Sequence, residues 1–243
     1  MFKFYQVGGA VRDRILGLES KDIDYVAVPE EDLLLTVSDT KVMFEVLRQH
    51  LEKEGFQIFL VTEDCYTIRA KYPKGHKLEK VIADFVMARK EIGYEENTRK
   101  PIVAPGTLYD DLARRDFTMN AIAMDEDGTY IDPFNGMQDI EKKQLRSPIS
   151  GEVSFEDDPL RILRAIRFSI TKDFYIPREL SMIIHHFNYE DKFHVVSDDR
   201  IREELYKCFK HNTLRTLRAL EYYFRLKNYI FSKNLWLKPT TEK

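Results

Sequence analysis

The sequence predicts a mixed α/β head followed by an all-helical neck and a short C-terminal helical segment. Strand-like runs alternate with amphipathic helical stretches over the first ~125 residues, and from about Phe155 the apolar period is helical throughout. A length of 243 residues leaves room for one large domain or two small ones.

In chain order, FKFYQV reads as a strand, AVRDRILGL as a helix and DIDYVAV as a second strand. DTKVMFEVLRQHLEKEG is an amphipathic helix closed by Gly55, and FQIFLV, CYTIRAKY and KVIADFVMAR read as further strands. KEIGYEENTRKPIVAPGTLYDD contains Gly and Pro but no sustained period. It is expected to be a long mobile loop, a type of segment that often carries function, with Arg89 and Glu91 anchoring its entrance. The join to the helical part lies near DGTYIDPFNGMQDIEKKQL. Beyond it, DPLRILRAIRFSI, RELSMIIHHFN, SDDRIREELYKCFK and TLRTLRALEYYFRLKNYIF each read as one helical run. His185, His186 and the aromatics between Tyr222 and Phe231 are expected to pack in helices; Trp236 has no assigned role.

The bulk composition excludes several classes. With 43% hydrophobic and 33% charged residues the chain reads as a soluble globular protein. No long uncharged apolar run predicts a membrane span. MFKFYQVGG enters strand pattern at once, with no signal-peptide layout. Cys65 and Cys208 lie far apart in no metal-ligand spacing, which predicts reduced thiols and a cytoplasmic location. A net charge of −3 argues against a nucleic-acid partner, but its distribution does not. Eleven Lys/Arg against four Asp/Glu from Arg200 to Lys243 give +7 and leave −10 on the rest. A polyanion partner would suit that balance, and so would a solvated helix face.

The candidate chemistry begins at Gly8 and Gly9. A strand–Gly-Gly–helix turn lets backbone approach a ligand, and a helix N-terminus offers N–H groups to phosphate. Asp22 and Asp24 follow, two apart on a strand and therefore on one side of it. Two carboxylates so placed repel, and a divalent cation with phosphates in its shell removes the repulsion. RRDFTMNAIA then brings Arg114, Arg115, Asp116 and Asn120 together: arginines suit triphosphate oxygens, and an Asp with an Asn suits ribose hydroxyls. In EDDPLRILRAIRF, Asp158 and Arg161 are three apart and are expected on one helix face. They form either a salt bridge or a reader of a base edge, Asp accepting from an exocyclic amine and Arg donating to ring acceptors, which would choose cytosine and adenine. Asp84, in VIADFVMAR, is either a third metal carboxylate, a support for the loop or a partly solvated strand residue.

GGAVRD with DID, then RRDFTMNA, IDPFNG, DDPLRILRAIRF and SDDRIREEL, resembles the bacterial-type (class II) tRNA nucleotidyltransferase and poly(A) polymerase family. The resemblance implies a polymerase-β-type nucleotidyltransferase head over 1–140, a helical neck over 141–211 and a short basic body remnant over 212–243. It implies two Mg²⁺ ions on the catalytic pair Asp22 and Asp24, with CTP and ATP as substrates. Gly8, Gly9, Arg12, Arg115, Asp116 and Asn120 would serve the triphosphate and ribose; Asp157, Asp158, Arg161 and Arg164 would serve the base. The family's template usually begins with Glu where this chain has Asp157, a shorter carboxylate. The chain also continues only ~35 residues past the DDRIREEL motif, where the family's long helical body would hold tRNA. The basic run of Lys207, Lys210, Arg215, Arg218, Arg225 and Lys227 is the expected RNA contact, with Arg215, Arg218 and Arg225 sharing one helix face. A second copy or a partner chain would supply the rest. The expected activity is addition of CMP, AMP or both to the 3′ end of tRNA, giving all or part of CCA; the alternatives are a poly(A) polymerase acting on other RNA and a non-catalytic nucleotide- or tRNA-binding homologue.

Overall fold

The computed structural model describes residues 1–20, 22–94 and 101–232. They form two compact units, one of Met1–Gly93 with Pro101–Ile140 and one that takes up the chain from Glu141.

The first unit opens with β1 (Phe2–Val7), α1 (Gly9–Ile15) and β2 (Asp22–Pro29), followed by α2 (Glu31–Thr36) and α3 (Thr40–Lys53). β3 (Gln57–Thr62), β4 (Thr67–Lys71), β5 (Ile82–Met87), β6 (Arg89–Tyr94) and β7 (Pro101–Pro105) come next. α4 (Leu108–Ala113), β8 (Ala123–Met124), β9 (Tyr130–Ile131) and α5 (Gly136–Glu141) complete it. Seven strands form one sheet in the order β3-β4-β5-β2-β1-β8-β9. Only its central pair, β2 and β5, is parallel, with Asp24 opposite Asp84. Alternation along β2 divides the strand between two cores. Ile23, Tyr25 and Ala27 join Phe85 and Met87 under Met43, Phe44, Leu47 and Leu51 of α3. Val26, on the side of Asp22 and Asp24, packs with Leu112 of α4, Ala121, Ala123 and Phe134. Both helices start on side-chain caps: Asp39 accepts from the Lys41 and Val42 amides, and Thr107 with Asp110 forms a capping box.

The segment expected as a structureless loop is partly ordered: β6 and β7 pair as a two-stranded sheet, and α4 follows. Each strand is too short to establish a period, and Gly106 allows the chain to pass the base of β6. A Cβ there would lie 2.5 Å from the Arg89 carbonyl carbon and 2.6 Å from the Lys90 nitrogen. The expected mobility of the segment's tip falls on 95–100, and Trp236 on 233–243, both outside the described residues.

The second unit contains α6 (Gly151–Asp157), α7 (Leu160–Thr171), α8 (Arg178–His186), α9 (Tyr189–Lys192), α10 (Asp198–His211), α11 (Thr213–Tyr222) and α12 (Phe224–Ser232). α7 packs along α10, burying Leu160, Ile162, Leu163 and Ile166. The last run, read as one helix, is two. It breaks at Tyr223 (φ −93°, ψ 57°), a buried residue that packs against His185 and hydrogen-bonds Ser181 Oγ at 3.1 Å. Among the described residues no helix is long and apolar enough to cross a membrane.

Candidate active site

At the end of β1, Val7 lies opposite Asp24, and the chain turns at Gly8 (φ 71°, ψ −135°) into α1. A Cβ on Gly8 would sit 2.9 Å from Arg115 Nη1 and 3.3 Å from Asp24 Oδ2. The missing side chain is what admits a guanidinium and a carboxylate to the same turn. At Gly9 a Cβ would meet only Arg12 Nη2, at 3.6 Å.

Asp22 is exposed and Asp24 half-buried on β2. Burial raises the Asp24 pKa; the Arg115 charge opposes this, and the Asp84 and Asp22 carboxylates add to it. Asp84, on β5, lies opposite Asp24 of β2 on one side and Arg69 of β4 on the other. It takes a bidentate pair from Arg69, Nε to Oδ1 at 2.7 Å and Nη2 to Oδ2 at 2.6 Å. Among the described residues no group of three His, Cys, Asp or Glu side chains is arranged to hold a metal. Asp22 and Asp24 offer a Mg²⁺ ion two hard oxygen ligands, with the other positions filled by phosphate, water or Asp84.

Arg115 is held from behind. The fully buried Asp111 accepts from Arg115 Nε (3.2 Å) and Nη2 (2.9 Å) on one oxygen and from Arg114 Nε (3.0 Å) on the other. Burial pushes the Asp111 carboxyl up, but the two guanidiniums hold it below its ordinary value. Arg115 Nη1, the end toward Gly8, also reaches the Asn120 carbonyl at 3.5 Å. A second chain of contacts is buried beside it. Arg12 Nη1 donates to Asn120 Oδ1 (2.7 Å), Asn120 Nδ2 donates to Asp116 Oδ1 (2.8 Å), and the Phe117 amide donates to the same oxygen (2.8 Å). The first unit thus brings Gly8, Asp22, Asp24, Asp84 and Arg115 into one neighbourhood and locks Arg12, Asp116 and Asn120 together. Asp111 and Arg69 were not picked out from the sequence. Asp111 had a legible signal, being three and four residues ahead of Arg114 and Arg115; the Arg69 pairing depends on strand register.

In the second unit, Asp157 closes α6 and Asp158 follows it in extended backbone (φ −142°, ψ 94°). Asp158 and Arg161 therefore do not share a helix face as expected: Pro159 disfavours helix at the residue before it. The Asp158 carboxylate accepts from the Leu160 amide (3.1 Å) at the start of α7. Arg161 is buried and donates through Nη1 to Ser154 Oγ at 2.8 Å, a partner also not anticipated. Arg164 stands over the Phe168 ring, 3.9 Å from the buried Glu204 of α10.

The basic residues do not form one face either. Arg215 and Arg218 are on α11 and Arg225 is on α12, across the break at Tyr223. Most of them have protein partners: Lys207 with Glu203 (2.8 Å), Arg215 with Asp173 (3.0 Å) and the Ser169 carbonyl, Arg225 with the His185 carbonyl (3.1 Å), Lys227 with Glu221 (2.7 Å). Lys210 lies 5.9 Å from the Tyr206 ring, and Arg218 is exposed.

A mixed sheet whose second strand delivers two adjacent carboxylates beside a glycine turn is the polymerase-β-type nucleotidyltransferase head. The family model described as the poly A polymerase head domain matches residues 4–146. This chain belongs to that family, the bacterial-type tRNA nucleotidyltransferases and poly(A) polymerases. A CCA-adding enzyme of Buchnera aphidicola is 32% identical over 252 aligned positions, covering 97% of this chain and 53% of that protein. The Thermotoga maritima CCA-adding enzyme, solved in complex with tRNA, superimposes with a TM-score of 0.72 at 26% identity, over 96% of this chain and 49% of that one. The Bacillus stearothermophilus CCA-adding enzyme, solved with CTP, gives 0.66 at 26% identity, over 90% and 47%. The chain spans about half the length of the curated relatives it matches.

Proposed function

We propose that this chain adds CMP and AMP, taken from CTP and ATP, to the 3′ end of tRNA. The observation that carries the reading is the half-buried Asp24 beside the like-charged Asp84 and Asp22, set against Gly8 and the Asp111-braced Arg115. The reaction is attack of the RNA 3′-hydroxyl on the nucleotide α-phosphate with loss of pyrophosphate. Mg²⁺ held by Asp22 and Asp24 would neutralise phosphate charge and lower the pKa of the attacking hydroxyl. The chain's own part is positioning. Arg115, with two of its nitrogens on Asp111, presents the third toward the triphosphate at Gly8. Gly9 and Arg12 complete that side. Asp116 and Asn120, already fixed to each other, take the ribose hydroxyls. Asp158 and Arg161 read the base edge, with Asp157 and Arg164 shaping the pocket; Asp158 is prepaid in geometry by its contact to the Leu160 amide, and Arg161 by Ser154. Residues 1–140 act as head, 141–211 as neck and 212–243 as a basic segment whose exposed Arg218 and neighbours meet RNA phosphate.

The test is incorporation of labelled CTP and ATP, each offered singly with Mg²⁺, into tRNA ending before CCA and into an unrelated RNA. CMP and AMP entering tRNA alone supports the reading. Runs of AMP on either RNA support instead a poly(A) polymerase, which the match to the poly A polymerase head domain favours as the second reading. No incorporation, with nucleotide still bound, indicates a non-catalytic homologue.

A further inference from the structure

The opposite face of the seven-stranded sheet carries a cavity that the carboxylate site does not use. Tyr25 follows Asp24 on β2 and so points the other way; its cross-strand partner on β1 is Gln6. Between this face, the last turns of α3 and the segment from Tyr72 to His76 lies a space of about 680 Å³, within the first unit. Its size falls within the range of small-molecule sites.

The walls are flat. Tyr25 stacks on Phe85 (5.0 Å between ring centres, 11° between planes), Tyr72 on His76 (4.9 Å, 7°) and Phe4 on His50 (5.6 Å, 13°). Each stack covers one face of its two rings, and Phe85 and Tyr72 are buried, so a planar aromatic guest would meet the partly exposed Tyr25, His50 and His76. Inside, Gln6 Nε2 donates to Tyr25 Oη at 3.4 Å, and the Tyr25 and Tyr72 hydroxyls touch at 2.8 Å. That contact uses one of the two phenolic protons, whichever residue donates it. The other remains to be given to an acceptor on a guest. The rim carries Glu54, Asp125 and Glu126, and among the described lining residues there is no Lys or Arg. An anionic guest would meet three carboxylates and no cation.

We propose that this cavity binds a planar, amino-bearing nitrogen heterocycle with no phosphate, a nucleoside-sized molecule. Its ring lies along the aromatic walls, a ring acceptor takes the spare tyrosine proton, and its amino group faces the rim carboxylates. The site is separate from the carboxylate pair and does not depend on the activity proposed for it.

The test is fluorescence titration of the whole chain with 2-aminopurine riboside, whose emission is quenched by stacking. Saturable quenching is expected, with its 5′-monophosphate binding at least roughly tenfold more weakly. Glu126→Lys, at the exposed rim, narrows that gap, and His76→Ala weakens nucleoside binding roughly tenfold by removing one wall. Both leave nucleotide incorporation unchanged, and Asp24→Asn leaves the nucleoside titration unchanged. The proposal fails if no saturable quenching is seen at millimolar probe, if the monophosphate binds as well as the nucleoside, or if neither variant alters the titration. It fails equally if Asp24→Asn abolishes binding, which assigns the probe to the carboxylate site, or if quenching requires the base to be within an RNA strand.

Discussion

Replacing Gly8 with Ala tests whether the turn exists to bring Arg115 and Asp24 together. The backbone there (φ 71°, ψ −135°) is one that a residue with a Cβ rarely adopts, and holding such a residue in it costs about 1–3 kcal/mol. For a chain of this size that lowers the melting temperature by about 2–12 °C, at about 2–4 °C per kcal/mol. The added methyl also lands 2.9 Å from Arg115 Nη1 and 3.3 Å from Asp24 Oδ2. The guanidinium must shift to make room, against its two bonds to Asp111, and it then leaves the position it needs; a displacement of about 1 Å in such a group costs about a hundredfold in rate. Gly9→Ala is the control. A methyl there would be 3.6 Å from Arg12 Nη2, an ordinary contact. The gain from restricting the unfolded chain, about 0.4–1 kcal/mol, raises the melting temperature by about 1–4 °C. Circular-dichroism melts of both variants, beside labelled-CTP incorporation, check this. Equal melting temperatures for the two variants, or full activity in Gly8→Ala, would refute the reasoning.

Three further outcomes are expected. Asp22→Ala and Asp24→Asn reduce incorporation to background. In chelator, Asp24→Asn also melts at or above the wild type at pH 7: with its folded pKa above the ordinary 3.8, Asp24 makes the native state bind more protons than the unfolded one, so stability falls as pH rises from 3.8 through the folded pKa. The variant's advantage should vanish in acid, and a lower melting temperature at pH 7 would count against the burial argument. Asp111→Ala leaves two guanidiniums without their buried partner and costs about 3 kcal/mol, the lower end for a broken buried pair because both arginines keep some exposure; urea unfolding measures it, and a loss under 1 kcal/mol would be too small for the role assigned (about a single hydrogen bond). Ser154→Ala removes the hydroxyl that fixes Arg161, so discrimination of CTP and ATP against UTP and GTP should fall while kcat for CTP changes less; unchanged selectivity would remove Arg161 from base reading.

Much of the fold was legible because local pattern and tertiary context agree in it. The alternation of DIDYVAV places Asp22 and Asp24 on one side of β2 and Ile23, Tyr25 and Ala27 on the other, as the two cores require. The helical period of DTKVMFEVLRQHLEKEG matches the buried face of α3. What the sequence obscured has specific causes. β6 and β7 are too short to show a period and depend on Gly106 for their close approach. The Asp158–Arg161 spacing is helical, but Pro159 between them holds Asp158 in extended backbone. Tyr223 ends α11 through its contacts in the second unit, which no helix propensity encodes. The two adjacent glycines looked alike, yet only Gly8 has a positive φ.

The charge around β2 explains why its carboxylates call for something more than the protein supplies. Two arginines stand close to the acidic strand residues, and both are committed elsewhere. Arg69 gives Nε and Nη2 to Asp84. Arg115 gives Nε and Nη2 to Asp111, which is buried and needs both its arginines to stay charged. Asp24 is left with the fields of Arg115 and, more weakly, Arg69 against its own burial and two like charges, and its pKa rises. A sheet built only for stability would relieve this by burying an apolar side chain in place of Asp24, since breaking even on buried charge is difficult. Retaining a strained carboxylate beside Asp22, at a glycine that keeps the space open, is a cost that a bound cation and phosphate would recover. The same arithmetic makes Mg²⁺ stabilise the wild-type chain and not Asp24→Asn, by RT ln(1 + [Mg²⁺]/Kd) if the ion binds only the folded state. Melts with and without Mg²⁺, with no nucleotide present, read this directly, and an equal shift in the two proteins would place the ion elsewhere.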